Sequence, residues 1–202
     1  MVRLIAGALF TSSLLLGGTA GAAQPSQEPD EPYVGQPGKD VIWVPTPPAL
    51  VEKMLDMAKV TAKDFVIDLG SGDGRNVIAA AKRGARALGI EYDANLVQVS
   101  RRRAAAAGVA DRAKFVEGDM FEADISQATV LALFLLPDNL SQLKPKFEAL
   151  RAGTRIVTNG YQITGWEPTD VGLAGGDCMP WCTAYLYVVP PSAANRSGSR
   201  RP

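Results

Sequence analysis

The chain has 202 residues, and its 21 basic and 21 acidic side chains give a net charge of zero. A hydrophobic content of 47% and a charged content of 21% are typical of a globular domain and exclude a mostly disordered chain. The balanced charge gives no electrostatic reason to expect nucleic acid or an anionic membrane surface as the main partner.

The first 22 residues have the pattern of a cleaved export signal. Arg3 precedes an apolar stretch from Leu4 to Leu16, and Ala20-Gly21-Ala22 fits the A-x-A cleavage pattern. The apolar stretch is too short to span a bilayer comfortably. We therefore expect export, with a bacterial periplasm as the destination and no stable membrane insertion after cleavage. A retained anchor, or a true start further downstream, stays open.

Beyond this segment the chain divides into three predicted regions. Residues 23–42 are rich in proline, glutamine and acidic side chains and are predicted to form a flexible spacer. Residues 43–190 are predicted to form the one folded domain. Residues 191–202, which carry Arg196, Arg200 and Arg201 among serine, glycine and proline, are predicted to be a disordered basic tail.

Within the domain, short apolar runs typical of buried strands alternate with helical patterns. Thr46 is predicted to cap a first helix from about residue 49 to 59. Strands are then predicted at 66–69, 87–91, 114–119, 129–136, 154–158 and 184–189, and helices after Arg75, after Asp93 and over 140–150. This order predicts a Rossmann-like α/β fold: a mostly parallel central sheet, helices on both faces and an antiparallel C-terminal edge strand.

The chemistry of the chain is concentrated where the first predicted strand meets the next helix. Asp68 precedes Gly70-Ser71-Gly72, a glycine turn that can take positive φ and let a ligand approach the backbone. Open α/β sheets place nucleotide-like cofactors at such a turn, against the N–H groups of the helix. A glycine pattern alone is weak, but Glu91 follows at the tip of the second strand, where a carboxylate accepts two ribose hydroxyls.

The glycine spacing favours one cofactor over another. Dinucleotide enzymes show G-x-G-x-x-G, whereas this chain has Asn76 and Val77 near the place of the third glycine. The run from Asp68 to Gly74 instead resembles the cofactor loop of class I S-adenosylmethionine (SAM) methyltransferases. That resemblance implies an adenine site at Gly118-Asp119 after the third strand. It also implies a cofactor site whose members are Thr46, Asp68, Gly70, Ser71, Gly72, Glu91, Gly118 and Asp119.

A narrower resemblance rests on Val44-Pro45-Thr46-Pro47, Ser100-Arg101 and Leu135-Leu136-Pro137. These segments are similar to the lysine methyltransferases of the ATP synthase c-subunit and adenine nucleotide translocase, especially their short bacterial relatives. The resemblance implies methyl transfer to an amine, with a protein lysine as the first hypothesis. A small-molecule amine as substrate, and a SAM-binding module without turnover, are the alternatives. Neither the resemblance nor the composition predicts an oligomeric state.

Any catalytic mechanism must work without histidine, because the chain has none. Methyl transfer needs chiefly alignment and exclusion of water, since the sulfonium already activates its methyl group. Backbone carbonyls near Leu136 and Pro137 are candidate orienting groups for the amine, with Asp138 and Tyr161 as polar neighbours. The structural alternative, which the residue types favour, is a helix cap for Asp138 and an edge-strand aromatic for Tyr161. Trp43 and Trp166 are candidates for the substrate channel, or for the core.

Two cysteines, Cys178 and Cys182, are the only thiols. In an exported protein this pair favours a disulfide, with free buried thiols as the alternative. Without histidine they make a poor zinc site, and no metal is expected. The basic run Arg101-Arg102-Arg103 is predicted to be a solvated helix face.

Overall fold

The architecture was analysed in a computed structural model, which describes residues 31–39, 42–175, 178 and 182–191. The predicted signal at 1–22, the first part of the predicted spacer and residues 192–202 of the predicted tail lie outside the described residues. Within the described part of the chain, no helix has the length and apolar character that crossing a membrane requires.

A seven-stranded sheet organises the domain, in the order β3-β2-β1-β4-β5-β7-β6. The first five strands of the chain are parallel, and β7 runs antiparallel to both β5 and β6. The strand bounds are β1 Phe65–Leu69, β2 Arg86–Glu91, β3 Ala113–Glu117, β4 Val130–Leu133, β5 Arg155–Asn159, β6 Asp170–Leu173 and β7 Thr183–Val188. The predicted fold class is confirmed.

Helices pack on both faces of this sheet. Within the described residues the helices are α1 Pro48–Met57, α2 Arg75–Lys82, α3 Ala94–Ala106 and α4 Pro137–Glu148. The first three bury apolar residues such as Leu50, Val77 and Val97 in one core cluster. The fourth buries Leu140, Leu143 and Phe147 in a second cluster on the other face. The sheet is therefore buried on both sides. This explains why the sequences of its central strands are nearly continuous apolar runs.

Several element boundaries differ from the prediction. Helix α1 begins at Pro48 with Pro47 as its cap residue and without a side-chain cap, so the capping role predicted for Thr46 is wrong. The threonine hydroxyl instead receives a hydrogen bond from the Asn159 amide at 3.3 Å. Strand β4 is four residues long, shorter than the predicted 129–136, because the chain leaves the sheet at Phe134.

The sequence reading missed strand β6. This strand is short, exposed at three of its four positions and contains Gly172, so it lacks the apolar alternation of a typical strand. It pairs with β7 and forms the edge of the sheet, a position that the prediction gave to the last strand. A Cβ at Gly172 would lie 2.4 Å from the Met57 sulfur, so a larger residue there would require this flexible side chain to move.

The topology reverses between β1 and β4, which are neighbours in the sheet although β2 and β3 separate them in sequence. At such a reversal the connections leave in opposite directions and open a crevice beyond the carboxyl ends of the strands. The end of β1 at Leu69 and the end of β4 at Leu133 both face this crevice. The fold therefore places the glycine turn at the site where ligands bind in open α/β sheets.

The opposite end of the sheet is held by one carboxylate. Asp64 accepts the Thr61 N–H at 2.8 Å and the Thr129 hydroxyl at 2.8 Å, and it is paired with Arg155. Burial raises the pKa of Asp64, but these hydrogen bonds and the Arg155 charge outweigh it, so the pKa lies below its usual value. Asp64 thereby joins the starts of β1, β4 and β5.

We expect Asp64→Asn to lower the free energy of unfolding at neutral pH by roughly 1–3 kcal/mol, because charge-assisted hydrogen bonds are lost. A carboxylate with a lowered folded-state pKa contributes stability above its unfolded value and loses it as pH falls through the folded value. The difference between variant and wild type should therefore shrink below about pH 4. Denaturant melts across pH measure it, and a difference that stays constant to about pH 3 would contradict this assignment.

Candidate functional site

The glycine turn after β1 is fixed on both sides by hydrogen bonds. Gly70 and Gly72 have φ values of +69° and +55°, which favour glycine. The N–H groups of Gly70 and Ser71 donate to the Ile90 carbonyl at 2.8 and 3.0 Å. From helix α3, the buried Ser100 hydroxyl donates to the Gly72 carbonyl at 2.9 Å. These hydrogen bonds hold the turn in one conformation.

Glu91, the last residue of β2, is positioned by two backbone donors. One carboxylate oxygen accepts the Gly72 N–H at 2.8 Å, and the other accepts the Asp93 N–H at 3.0 Å. A carboxylate oxygen can accept more than one hydrogen bond, so both retain acceptor capacity toward the cavity. Two adjacent acceptors in a fixed orientation suit a pair of neighbouring hydroxyls, such as those of a ribose.

Asp68 is buried at the end of β1, with 3% of its surface exposed. Burial raises the pKa of its carboxyl well above the usual range; the Asn76 hydrogen bond lowers it, and the charges of Glu91 and Asp73 raise it further. Asn76 donates to Asp68 at 3.2 Å. A bound cation would compensate this buried acid, and the α-ammonium of an amino acid is one such group.

Asp119 follows β3 and has two donors. Lys39 donates to one oxygen at 2.7 Å, and the Phe121 N–H donates to the other at 2.8 Å. The Lys39 hydrogen bond, followed by that from Phe121, lowers the pKa of Asp119 below its usual value. The Lys39 ammonium also lies 4.5 Å from the centre of the Tyr92 ring. The predicted adenine position is therefore framed by an acid and an aromatic face.

One wall of the site comes from residues 31–39 and 42–46, here called the N-terminal strap. The strap contributes Lys39 and also Trp43. The Trp43 side chain lies so close to Gly72 that a Cβ at that glycine would be 2.5 Å from the indole nitrogen. Glu31 pairs with Arg102 and Arg103 of helix α3. The sequence predicts a flexible spacer over residues 23–42, but the described part of that stretch contacts the domain at several points.

The strap, the glycine turn and the loops after β2, β3 and β4 enclose a cavity of about 490 Å³. Its size lies within the range of small-molecule sites. All eight residues predicted to bind the cofactor line it: Thr46, Asp68, Gly70, Ser71, Gly72, Glu91, Gly118 and Asp119. The set fits SAM, because Asp68 matches the ammonium, Glu91 the ribose and Asp119 the adenine amine. Each individual contact with the cofactor remains a prediction.

The sheet order, the glycine turn and this set of acids together define a class I SAM-dependent methyltransferase. Comparison with known families agrees: the family described as the ANTKMT methyltransferase domain matches residues 68–170. The chain belongs to this family, which confirms the resemblance seen in the sequence.

Two relatives carry informative names. A protein-lysine N-methyltransferase of Saccharolobus islandicus is 43% identical over 74% of this chain and 94% of its own length. The human lysine N-methyltransferase of the ATP synthase c-subunit is 34% identical over 84% of this chain and 72% of its own length.

A solved structure is similarly close. The crystal structure of an RNA methyltransferase from Salinibacter ruber in complex with S-adenosylhomocysteine (SAH) is 44% identical, with a TM-score of 0.67. The match covers 73% of this chain and 94% of that one. A close relative therefore binds the reaction product of SAM, which supports SAM as the cofactor here.

The predicted catalytic residues are not all brought to the cavity. Leu136 and Tyr161 line it, whereas Asp138 is exposed on the first turn of α4, and Asn139 is the lining residue there. The Leu136 carbonyl accepts the Leu140 N–H at 3.0 Å, which engages it in the helix. Pro137 is the first residue of α4, and helix carbonyls point along their own helix. The geometry thus favours Tyr161 and the Asn139 position over Asp138.

The basic run at residues 101–103 makes polar contacts that the sequence did not predict. Arg103 pairs with the buried Asp73, which also binds Arg75, and Arg101 donates to the Phe115 carbonyl at 2.7 Å. The prediction of a solvated face for residues 101–103 therefore holds for the exposure of Arg101, whereas Arg102 and Arg103 are half-buried and form ion pairs. Burial raises the pKa of Asp73. The Arg75 hydrogen bond and the charges of both arginines outweigh this effect, so the pKa of Asp73 lies below its usual value.

The remaining predicted residues fall outside the cavity wall. Trp166 packs 6.1 Å from the ring of Tyr187, so its core role is observed and a channel role is not. The sulfurs of Cys178 and Cys182 lie within bonding distance, with their Cα atoms 5.1 Å apart, in the usual range for disulfides. The disulfide in the cell remains a prediction.

We expect Glu91→Ala to weaken SAH binding by roughly ten- to a hundredfold, because a charge-assisted contact is lost. Isothermal titration with SAH measures this loss. Glu117→Ala is the matched control, since Glu117 is the register neighbour of Glu91 on β3 but is exposed and does not line the cavity. Unchanged SAH affinity in Glu91→Ala would remove this residue from the site.

Proposed function

We propose that this methyltransferase transfers its methyl group to a protein lysine. The proposal depends on one observation, the apolar wall of the cavity beside the glycine turn. This wall is built from Trp43, Val44, Pro45, Phe134, Leu135 and Tyr161. Leu135 lies against the turn, since a Cβ at Gly70 would be 3.4 Å from its methyl carbon. A narrow apolar and aromatic wall suits the methylene stem of a lysine.

The wall also acts on the protonation of the acceptor. Apolar surroundings disfavour the ammonium form and lower the pKa of a lysine amine, so the proton leaves to solvent before transfer. SAM supplies a methyl group that its sulfonium already activates. With SAM bound, the neutral nitrogen would accept this methyl group and SAH would be the leaving product. Trp43, Leu135 and Tyr161 hold the amine in line and exclude water.

The charges of the cavity favour a protein over RNA as the acceptor. Among the described lining residues, the two cations are Lys39 and Arg75. Lys39 is paired with Asp119, and Arg75 with Asp73, so both face carboxylates. The names of the Saccharolobus and human relatives support the same reading. RNA stays as a second candidate, because the Salinibacter structure bears that name.

The acceptor class is tested by methyl-labelled SAM and a cell extract divided into protein, RNA and small-molecule fractions. We expect the label in protein, recovered as methylated lysine after hydrolysis, and lost when the lysines of the extract are first acetylated. Glu91→Ala should reduce the label in parallel with its SAH affinity. Label confined to RNA or to small molecules would overturn the proposal. SAH binding without label in any fraction would indicate a module without turnover.

Two variants separate the walls of the cavity in the same assay. Tyr161→Leu should lower transfer at saturating SAM while SAH affinity stays near wild type, because Tyr161 acts on the acceptor side. Asp138→Asn should leave both quantities unchanged, because Asp138 is exposed and does not line the cavity. A loss of transfer in Asp138→Asn alone would restore its predicted catalytic role.

Export is a further proposal, supported by the apolar run and the A-x-A pattern of the first 22 residues. It raises the question of how the enzyme obtains SAM, which is made in the cytosol. We expect the native protein in the periplasmic fraction, with an intact mass that matches a chain beginning at Ala23. A cytosolic protein that begins at Met1 would contradict export without affecting the methyltransferase assignment.

A further inference from the structure

Asn76 is the second residue of helix α2 and has 4% of its surface exposed. Its amide nitrogen donates to Asp68 at 3.2 Å and to the Ala132 carbonyl at 3.4 Å. Its amide oxygen is buried without a hydrogen-bond partner among the described residues. Asn76 and Asp68 both line the cofactor cavity. A buried acceptor without a partner is costly, unless a ligand supplies the missing donor.

The position of Asn76 connects this acceptor to the cofactor. In a dinucleotide site this part of the chain is close to a glycine that serves helix packing, whereas here it carries a polar side chain. Because the amide nitrogen is used by Asp68 and the Ala132 carbonyl, the oxygen is the amide atom that remains for a donor in the cavity to engage. The ammonium of an amino acid has three donors and no acceptor.

We infer that Asn76 is a positioning residue for the amino-acid end of SAM, holding the Asp68 carboxylate by its nitrogen and accepting from the α-ammonium by its oxygen. The two side chains then act as one unit, in which Asp68 supplies the charge and Asn76 fixes its orientation. The inference concerns the cofactor, so it stands or falls independently of the acceptor proposed above.

The test compares two ligands that differ at this end. SAH carries the ammonium, whereas 5′-methylthioadenosine has the same nucleoside but lacks the amino-acid part. We expect Asn76→Leu to weaken SAH binding roughly tenfold or more and to leave 5′-methylthioadenosine within about twofold of wild type. Glu91→Ala should weaken both ligands, since the ribose is common to them.

A second substitution and a second background keep the test decisive. If Asn76→Leu does not fold, Asn76→Ser removes the amide with a small side chain that admits water. In an Asp68→Asn background, Asn76→Leu should cost much less SAH affinity than in wild type, because the two residues act together. Thr154→Val is the control: it removes another buried polar group, whose hydroxyl donates to the Ala128 carbonyl at 3.4 Å, at a position that does not line the cavity.

The pH profile of SAH binding gives a readout that a purely structural role would not change. SAH affinity should fall as pH falls through the pKa of Asp68, because protonation removes the charge that the ammonium needs. The carboxylates that face Asp68 are Glu91 and Asp73, and Asp73 is itself paired with Arg75 and Arg103. Removing the Asn76 donor raises the pKa of Asp68, so the fall should move to higher pH in Asn76→Leu.

Three results would overturn the inference. One is an unchanged SAH affinity in both Asn76 variants. Another is an equal loss for SAH and 5′-methylthioadenosine, which would indicate a general effect on the fold. The third is a Thr154→Val control that selectively weakens SAH to the same extent, because the loss would then follow from removing any buried polar group.

Discussion

The hydrogen bond from the Gly72 N–H to the Glu91 carboxylate connects the ends of β1 and β2, and the cofactor site depends on it. The glycine turn must take left-handed φ values to bring that N–H toward Glu91. Ser100 holds the same turn from helix α3, and Trp43 covers it from the strap. Three distant segments thus converge on one short stretch of backbone and fix its conformation.

Charge is distributed unequally around this stretch. Asp73 has Arg75 and Arg103 as partners, so its charge is compensated within the protein. Asp68 has the neutral amide of Asn76. Both acids line the cavity, but the fold compensates the charge of Asp73 alone, so Asp68 is the acid that suits a cationic ligand group.

Much of this arrangement was predictable from sequence. Three motifs predicted the cavity lining: the Asp68 to Gly74 pattern, Glu91 at its distance from that pattern, and Gly118-Asp119. Each lies at the end of a predicted strand, and parallel strands bring their carboxyl ends to one edge of the sheet. The strap contacts were not predictable, because Lys39 meets Asp119 across 80 residues. The pairing of Arg103 with Asp73 likewise depends on how α3 packs beside the turn. Strand β6 was not predicted, because an edge strand needs little apolar alternation in its sequence.

The three acids share a property that affects turnover. The ammonium, the ribose and the adenine that they are predicted to bind are identical in SAM and in SAH, so these contacts would hold donor and product alike. Binding energy of this uniform kind fills the site without selecting the transition state. On these predictions, only the apolar wall near Leu135 is left for the part that changes, where a charged sulfonium becomes a neutral thioether. We therefore expect SAH to compete with SAM for the site.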